Sequence, residues 1–306
     1  MSRGFESFCV ASHHGAHVTP QAGVTTLGRY WTTTSRESLK CRAILARPVA
    51  SVAMADSTRS GASMTLTAGR ARVLDPLDPG TAVADPYGAS MIGMVAGRIA
   101  LEHLDETLAY GQIGKAVPQT WSLRGRVLLS VEPDQRLVAD SSGIVEATGR
   151  WATERELPAI ARRVRTPPAR LDDHVHDEVR RLVDDAWSPD GPLPSCSIGL
   201  TTPVGPVAVP AIWDADHGSA VVRRDVLSRL SPIFDSGACI TLDRNADRRA
   251  DEKVGLILRG RPLLRRLPRT HAFADGHLGV VIGVDRVTWW HGFTSGTSVI
   301  DGRAAA

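Results

Sequence analysis

Two hydroxyls and two cations crowd one short stretch of this sequence: Ser35, Arg36, Ser38 and Lys40, just after the aromatic pair Tyr30 and Trp31. Fixed cations beside hydroxyl donors suit a phosphate, because charge-assisted hydrogen bonds are strong when their geometry is held. On a helix, Arg36 and Lys40 would face one side and converge on one anion. The competing reading is a solvated surface pair; Arg42 is out of phase with Lys40 and is a weaker candidate. His13, His14 and His17 form the one tight histidine cluster. They lack a carboxylate or cysteine at a metal-ligand spacing to complete a set, so no metal centre is expected there. One of them could still ligate iron or act on a substrate proton, and ordinary turn hydrogen bonding is the alternative. Trp31, Trp213, Trp289 and Trp290 could wall a groove against a flat ring, although tryptophans in strands more often fill a core. In the Trp289–Trp290 pair the two indoles point to opposite faces, so one belongs to the core and the other is open to a ligand or an interface. No spacing supports a Ser-His-Asp or Cys-His arrangement, and GxGxxG is absent.

The elements that must position these residues read mostly as strands. Phe5 to Val10 and Val24 to Trp31 have strand character, and Ser35 to Leu45 has a short helical rhythm ended by Pro48. Val49 to Ala55 reads as a buried strand, and Ala62 to Leu74 alternates like another. Ala89 to Leu108 is the clearest helix of the first half, with Asp85 or Ser90 as its cap. Trp121 to Val131 returns to strand, with Arg136 to Ala139 continuing after an EPD turn. Leu171 to Trp187 carries an apolar stripe on a charged helix. Strand patterns then resume from Ser195, with a hairpin over Ala211 to Val222, a short helix over Val226 to Phe234, and strands at Gly237 to Leu242 and Val254 to Leu258. Leu278 to Trp290 closes the series around a DR turn.

Composition bounds the rest. The 306 residues are 42% hydrophobic and 23% charged, which fits a folded chain rather than a disordered one. A formal charge of +3, dispersed among acids, gives no nucleic-acid footprint. Cys9, Cys41, Cys196 and Cys239 lie too far apart for a CxxC site and are expected as free thiols. There is no leader-like start and no apolar run of membrane-spanning length, so neither secretion nor a membrane is expected, and a cytoplasmic location is.

The two halves follow one plan. HGAHVTP is echoed by PVGPVAVP, with Gly15 to Gly205 and Pro20 to Pro210 both separated by 190 positions. SLKCRAILARPVASVAMAD parallels DVLSRLSPIFDSGACITLD, which sets Asp56 against Asp243 at a separation of 187. TLTAGRARVLDP matches LILRGRPLLRRLP, and RGRVLLSVEPDQRLVADSSG matches HLGVVIGVDRVTWWHGFTSG. Four matches in one order point to tandem duplication. The expected organisation is a first unit over 1–145 with a helical insertion near 85–115, a helical connector over 146–194, and a second unit over 195–306.

The order strand, turn, strand, TTTSRESLK, helix, RPVASVAMA resembles the pyridoxamine-phosphate-oxidase-like superfamily of flavin-binding split β-barrels, and WWHGFTSG resembles its last barrel strand. The resemblance implies a mainly β fold with helical insertions (α+β): two tandem split β-barrels of the FMN-binding type, side by side as a pseudo-dimer in one chain, or a homodimer of such chains. It further implies that Ser35, Arg36, Ser38 and Lys40 grip the cofactor phosphate in the groove between barrels. The function implied is an FMN- or deazaflavin (F420)-dependent oxidoreductase acting on a small organic molecule. The alternatives are a haem-binding split barrel and a cofactor-free interaction or structural protein with a decayed site. In the second half VRRDVL replaces SRESLK, keeping Arg223 and Arg224 but placing Leu227 where the lysine stood, so one site is expected rather than two.

Overall fold

The computed structural model describes residues 6–55, 63–103, 125–158, 160, 171–172, 174–245 and 251–300. Asp56, Trp121, Pro167, Pro168 and the far end of the insertion lie outside them. In the first half the chain runs β1 (Glu6–Ser12), β2 (Gly15–Gln21), β3 (Gly23–Thr26), β4 (Arg29–Ser35), α1 (Leu39–Ala46), β5 (Val49–Ala55) and β6 (Ser63–Leu74). Two insertion helices follow, α2 (Pro79–Ala84) and α3 (Pro86–Glu102), and then β7 (Arg126–Asp140) and β8 (Gly143–Ala147). After α4 (Asp177–Ala186) come β9 (Ser195–Thr202), β10 (Gly205–Asp214), β11 (Ser219–Arg223), α5 (Arg224–Leu230), β12 (Ala238–Arg244), β13 (Val254–Arg265), β14 (His277–His291) and β15 (Thr294–Val299). Among the described residues no helix is long and apolar enough to cross a membrane.

The first sheet has the order β2-β1-β5-β6-β7-β4-β3, with β8 added on β7. Its two ends, β2 and β3, are separated in the chain by Ala22 alone, so the sheet curls round until its first and last strands meet. In the second sheet, β11-β10-β9-β12-β13-β14-β15, β11 also pairs with β14 and closes a ring. There the single strand β10 pairs with β9 at its start and β11 at its end, the work that β2 and β3 share in the first sheet.

Several local details recur in both halves. The turns after β1 and β9 each use a glycine at positive φ, Gly15 (99°) and Gly205 (121°), a conformation that costs glycine little. Each turn is also closed by a hydroxyl donating to that glycine's carbonyl, Ser12 at 2.9 Å and Thr202 at 2.8 Å. Long strands bulge at Gly69 and Gly260, where a β-carbon would lie 1.9 and 1.8 Å from a carbonyl oxygen of the neighbouring strand. Between the halves, the Ala208 N–H donates to Ser51 Oγ (2.9 Å) and the Val18 N–H to Cys239 Sγ (3.2 Å), two contacts at corresponding places. One apolar cluster runs through both, joining Cys9, Val18 and Leu66 to Ile198, Val209 and Ile240.

Strand register revises the sequence alignment in one respect. Cys9 pairs with Ser51 and Gly199 with Cys239, so β5 and β12 correspond at a separation of 188 rather than 187. Ala55, not Asp56, then matches Asp243, and Lys40 matches Ser228 rather than Leu227. The expected EPD and DR turns are bulges within the continuous strands β7 and β14. Conversely, Val24 to Trp31 is two strands joined through Leu27 and Gly28. Asp85 does cap α3, its carboxylate accepting from the Gly88 N–H at 3.0 Å. Below that helix, Val95 and Ile99 cover Trp31 and Leu74. The connector helix α4 buries Val179, Leu182, Val183 and Ala186 against the second half, as its stripe predicts, over a shorter span than expected.

Candidate functional site

β4 ends at Ser35, which pairs across the sheet with Arg126 at the start of β7. Three residues on, Ser38 caps α1, its Oγ accepting from the Cys41 N–H (3.1 Å) and meeting Thr34 Oγ1 (3.0 Å). Because the helix starts there, Lys40 in its first turn points inward, and its Nζ donates to Thr19 Oγ1 (3.2 Å) and Gln21 Oε1 on β2. The Arg126 guanidinium is fixed by the Thr33 carbonyl (3.1 Å) and Oγ1 (2.8 Å). From the second half, Lys253 and Asn245 approach, with Trp290 and Phe293 beside the β14–β15 turn. These groups enclose a cavity of about 370 Å³ between the halves, within the size range of small-molecule and cofactor pockets.

The electrostatics are one-sided. Lys40, Arg126 and Lys253 line the cavity, and no carboxylate does among the described residues. Burial, with Arg126 adding its charge, brings the Lys40 ammonium down to about 7. An oxyanion entering here would meet three cations and the Ser35 and Ser38 hydroxyls. Ala22, where the first sheet breaks between β2 and β3, lines the cavity. At the corresponding place β10 runs on through Ile212 without a break. There Arg223, matched to Ser35 by strand register, donates to the Asp140 carbonyl and pairs with Asp225 (3.0 Å). The Arg223 guanidinium is thus committed to protein groups at that place.

Three of the four residues singled out in the sequence, Ser35, Ser38 and Lys40, therefore line one cavity. Arg36 does not: it precedes the Ser38 cap, so the helical four-residue spacing never applies to it, and its guanidinium pairs with both oxygens of Asp75. Arg126 and Lys253 escape sequence reading, since strand pairing brings the first from some ninety residues away and the second comes from the other half. Trp290 lines the cavity while Trp289 is buried in the core, as their alternation requires. Trp31 and Trp213 are core residues and wall no groove; the Trp213 indole N–H donates to the Ala186 carbonyl. His17 is buried, and its Nδ1 accepts from Arg259 (2.7 Å). Desolvation and the charges of Arg259 and Lys40 hold it well below its ordinary range, so it is neutral. His13 and His14, rings 3.8 Å apart, sit at the β1–β2 turn in a different groove. Among the described residues no group of three His, Cys, Asp or Glu side chains is placed to hold a metal ion.

No protein-family model matches the chain, and no curated protein matches it. Among solved structures it is similar to a pyridoxamine 5'-phosphate oxidase-related, FMN-binding protein from Nostoc punctiforme, at 16% identity over 45% of this chain and 75% of that one (TM-score 0.32). It is also similar to the heme storage protein HutZ from Vibrio cholerae, at 14% identity over 44% and 84% (TM-score 0.30). An F420 reductase matches at 15% identity over 44% and 90% (TM-score 0.29).

Proposed function

We propose that this chain is a fused pair of split β-barrels that holds a phosphorylated flavin or deazaflavin between its halves and acts as an oxidoreductase on a small organic molecule. The observation that carries this reading is the convergence of Lys40, Arg126 and Lys253 in a cavity that no carboxylate lines among the described residues and that also offers the indole of Trp290 and the ring of Phe293. Lys40 and Arg126 would hold the phosphate with the Ser35 and Ser38 hydroxyls, and Lys253 would close on it from the second half. Trp290 and Phe293 supply flat apolar surface for a ring and exclude water from it. The flavin, when bound, supplies hydride chemistry that no side chain of this protein can perform. Thr19, Thr33 and Thr34 line the same cavity and offer hydrogen bonds to a ring edge. No proton-transfer role is assigned, because the one buried histidine nearby, His17, spends its Nδ1 on Arg259. The haem alternative finds no axial ligand here, since no histidine lines the cavity among the described residues.

The test is reconstitution of purified protein with FMN, F420, riboflavin or haem, followed by absorption and flavin fluorescence. FMN or F420 should bind at one per chain. Arg126→Gln should weaken FMN by roughly 10- to 100-fold while changing riboflavin by less than about threefold. A haem spectrum, no binding of any of the four, or equal losses for FMN and riboflavin would overturn the reading in favour of the haem-binding or cofactor-free alternatives.

A further inference from the structure

A second, larger groove lies where the two halves meet at their glycine turns. It has a volume of about 1090 Å³ and is bordered by the β1–β2 and β9–β10 turns and by the bulge at Gly260. Arg47, Arg259, Arg261 and Arg286 line it, against only Asp235 and Asp285. Of those two acids, Asp235 is already paired with Arg261 at 3.2 Å.

Arg259 is the informative residue. It is only 6% exposed, yet no carboxylate lies within ion-pair distance of its guanidinium among the described residues. Its one hydrogen bond is the 2.7 Å contact with the neutral His17 ring, and its Nε has no partner. Buried guanidinium groups are found paired with acids or bound to anions, because an uncompensated charge out of water is costly. Around it cations outweigh the one nearby acid: His14 is held below its ordinary range by partial burial and by the charges of Arg286, His13 and Arg259, with Asp285 opposing them. The two pockets have no lining residue in common, although His17 feels the charges of both Arg259 and Lys40.

We infer that this groove is a second anion site, taking the phosphate or carboxylate group of a small ligand between Arg259, Arg286 and Arg47. It stands independently of the flavin reading. Arg259 supplies the buried charge, and Arg286, half-buried on the neighbouring strand β14, closes on the same oxyanion from the rim. Arg47, exposed at the C-terminal cap of α1, guards the opening. Phosphate esters and carboxylates share the chemistry recognised here.

The experiment is isothermal titration with inorganic phosphate and, in parallel, citrate, in a Lys40→Met background that removes one cation of the first cavity. One site per chain should remain there, with Arg286→Gln and Arg259→Gln each weakening it by about tenfold or more. Tighter binding of phosphate than citrate would mark a phosphate-bearing ligand, and the reverse a polycarboxylate. Arg286 is partly solvated, so its substitution leaves the fold intact and keeps the test open should Arg259→Gln fail to fold. Affinity unchanged in the Arg286→Gln protein, or no binding of either anion in the Lys40→Met protein, would overturn the assignment.

Discussion

Replacing Lys40 by methionine should stabilise the ligand-free protein and cripple it for phosphate. Methionine keeps the length and apolar stem of the lysine while deleting its charge. In the fold the ammonium falls from its ordinary 10.5 to about 7. At about 1.4 kcal/mol per pH unit, that caps the cost of the buried charge at about 5 kcal/mol. Lys40 is half-buried and borders an open cavity, so solvent screens part of this. Thr19 and Gln21 also lose their donor, which gives back about 1–3 kcal/mol. A net gain of about 1–2 kcal/mol is expected at pH 6. The sign follows from protons: the unfolded lysine keeps its proton up to 10.5, whereas the folded one releases it near 7. The cost is thus full below about 7 and fades as pH rises toward 10.5, and the advantage of Lys40→Met fades with it. Urea denaturation at pH 6, 7.5 and 9 measures the gain; FMN and riboflavin titrations measure the loss, expected at roughly 10- to 150-fold for FMN alone. A Lys40→Met protein less stable than wild type at pH 6, with full FMN affinity, would refute both the buried charge and its role.

The same proton accounting predicts a stability minimum near neutrality. Burial lifts the carboxyls of Asp243 and Glu6 to about 7, so the fold holds protons that the unfolded chain releases from about pH 4 upward. Stability from these two groups is complete at about pH 4 and lost by about 7, after which Lys40 restores some; Asp243→Asn should flatten the falling limb in thermal melts, and an unchanged limb would contradict the assignment. Gly260→Ala should cost about 2–4 kcal/mol by urea denaturation, because its β-carbon would sit 1.8 Å from the Gly283 carbonyl oxygen. Gly283→Ala on the facing strand, with nothing nearer than 3.8 Å, should be close to neutral. Arg36→Ala should leave FMN affinity within about threefold, since its guanidinium is committed to Asp75, and a loss as large as that of Arg126→Gln would restore it to the site.

Much of the first half's local structure is legible in sequence, because single residues decide it. Asp85 before a proline starts α3, Pro48 stops α1, and the alternation at Trp289–Trp290 sends one indole inward and one to the cavity. Lys40, Ser35 and Ser38 are legible for the same reason. Arg36 falls outside the cavity because one cap decides where helical spacing begins, and Ser38, which lines the cavity, is also that cap. The repeat is visible in its glycines, but short apolar strings tolerate a one-residue slip that only register removes. Arg126 and Lys253 carry no local signature at all; their positions depend on which strand lies beside β4 and which turn faces α1.

The hydrogen bonds that Ser51 and Cys239 accept at corresponding places have a consequence for how such a protein changes. When two identical chains associate, each substitution is made twice, and a residue that helps one binding place and harms the other is selected on the sum. A covalently joined pair escapes that constraint. In the proposed fused pair, oxygen stands at one of two corresponding places and sulfur at the other, and Arg223 can be committed to protein groups while the position matched to it, Ser35, is left for a ligand. Tethering also makes the encounter of the halves independent of dilution, so the loss of one pocket need not loosen the assembly that supports the other.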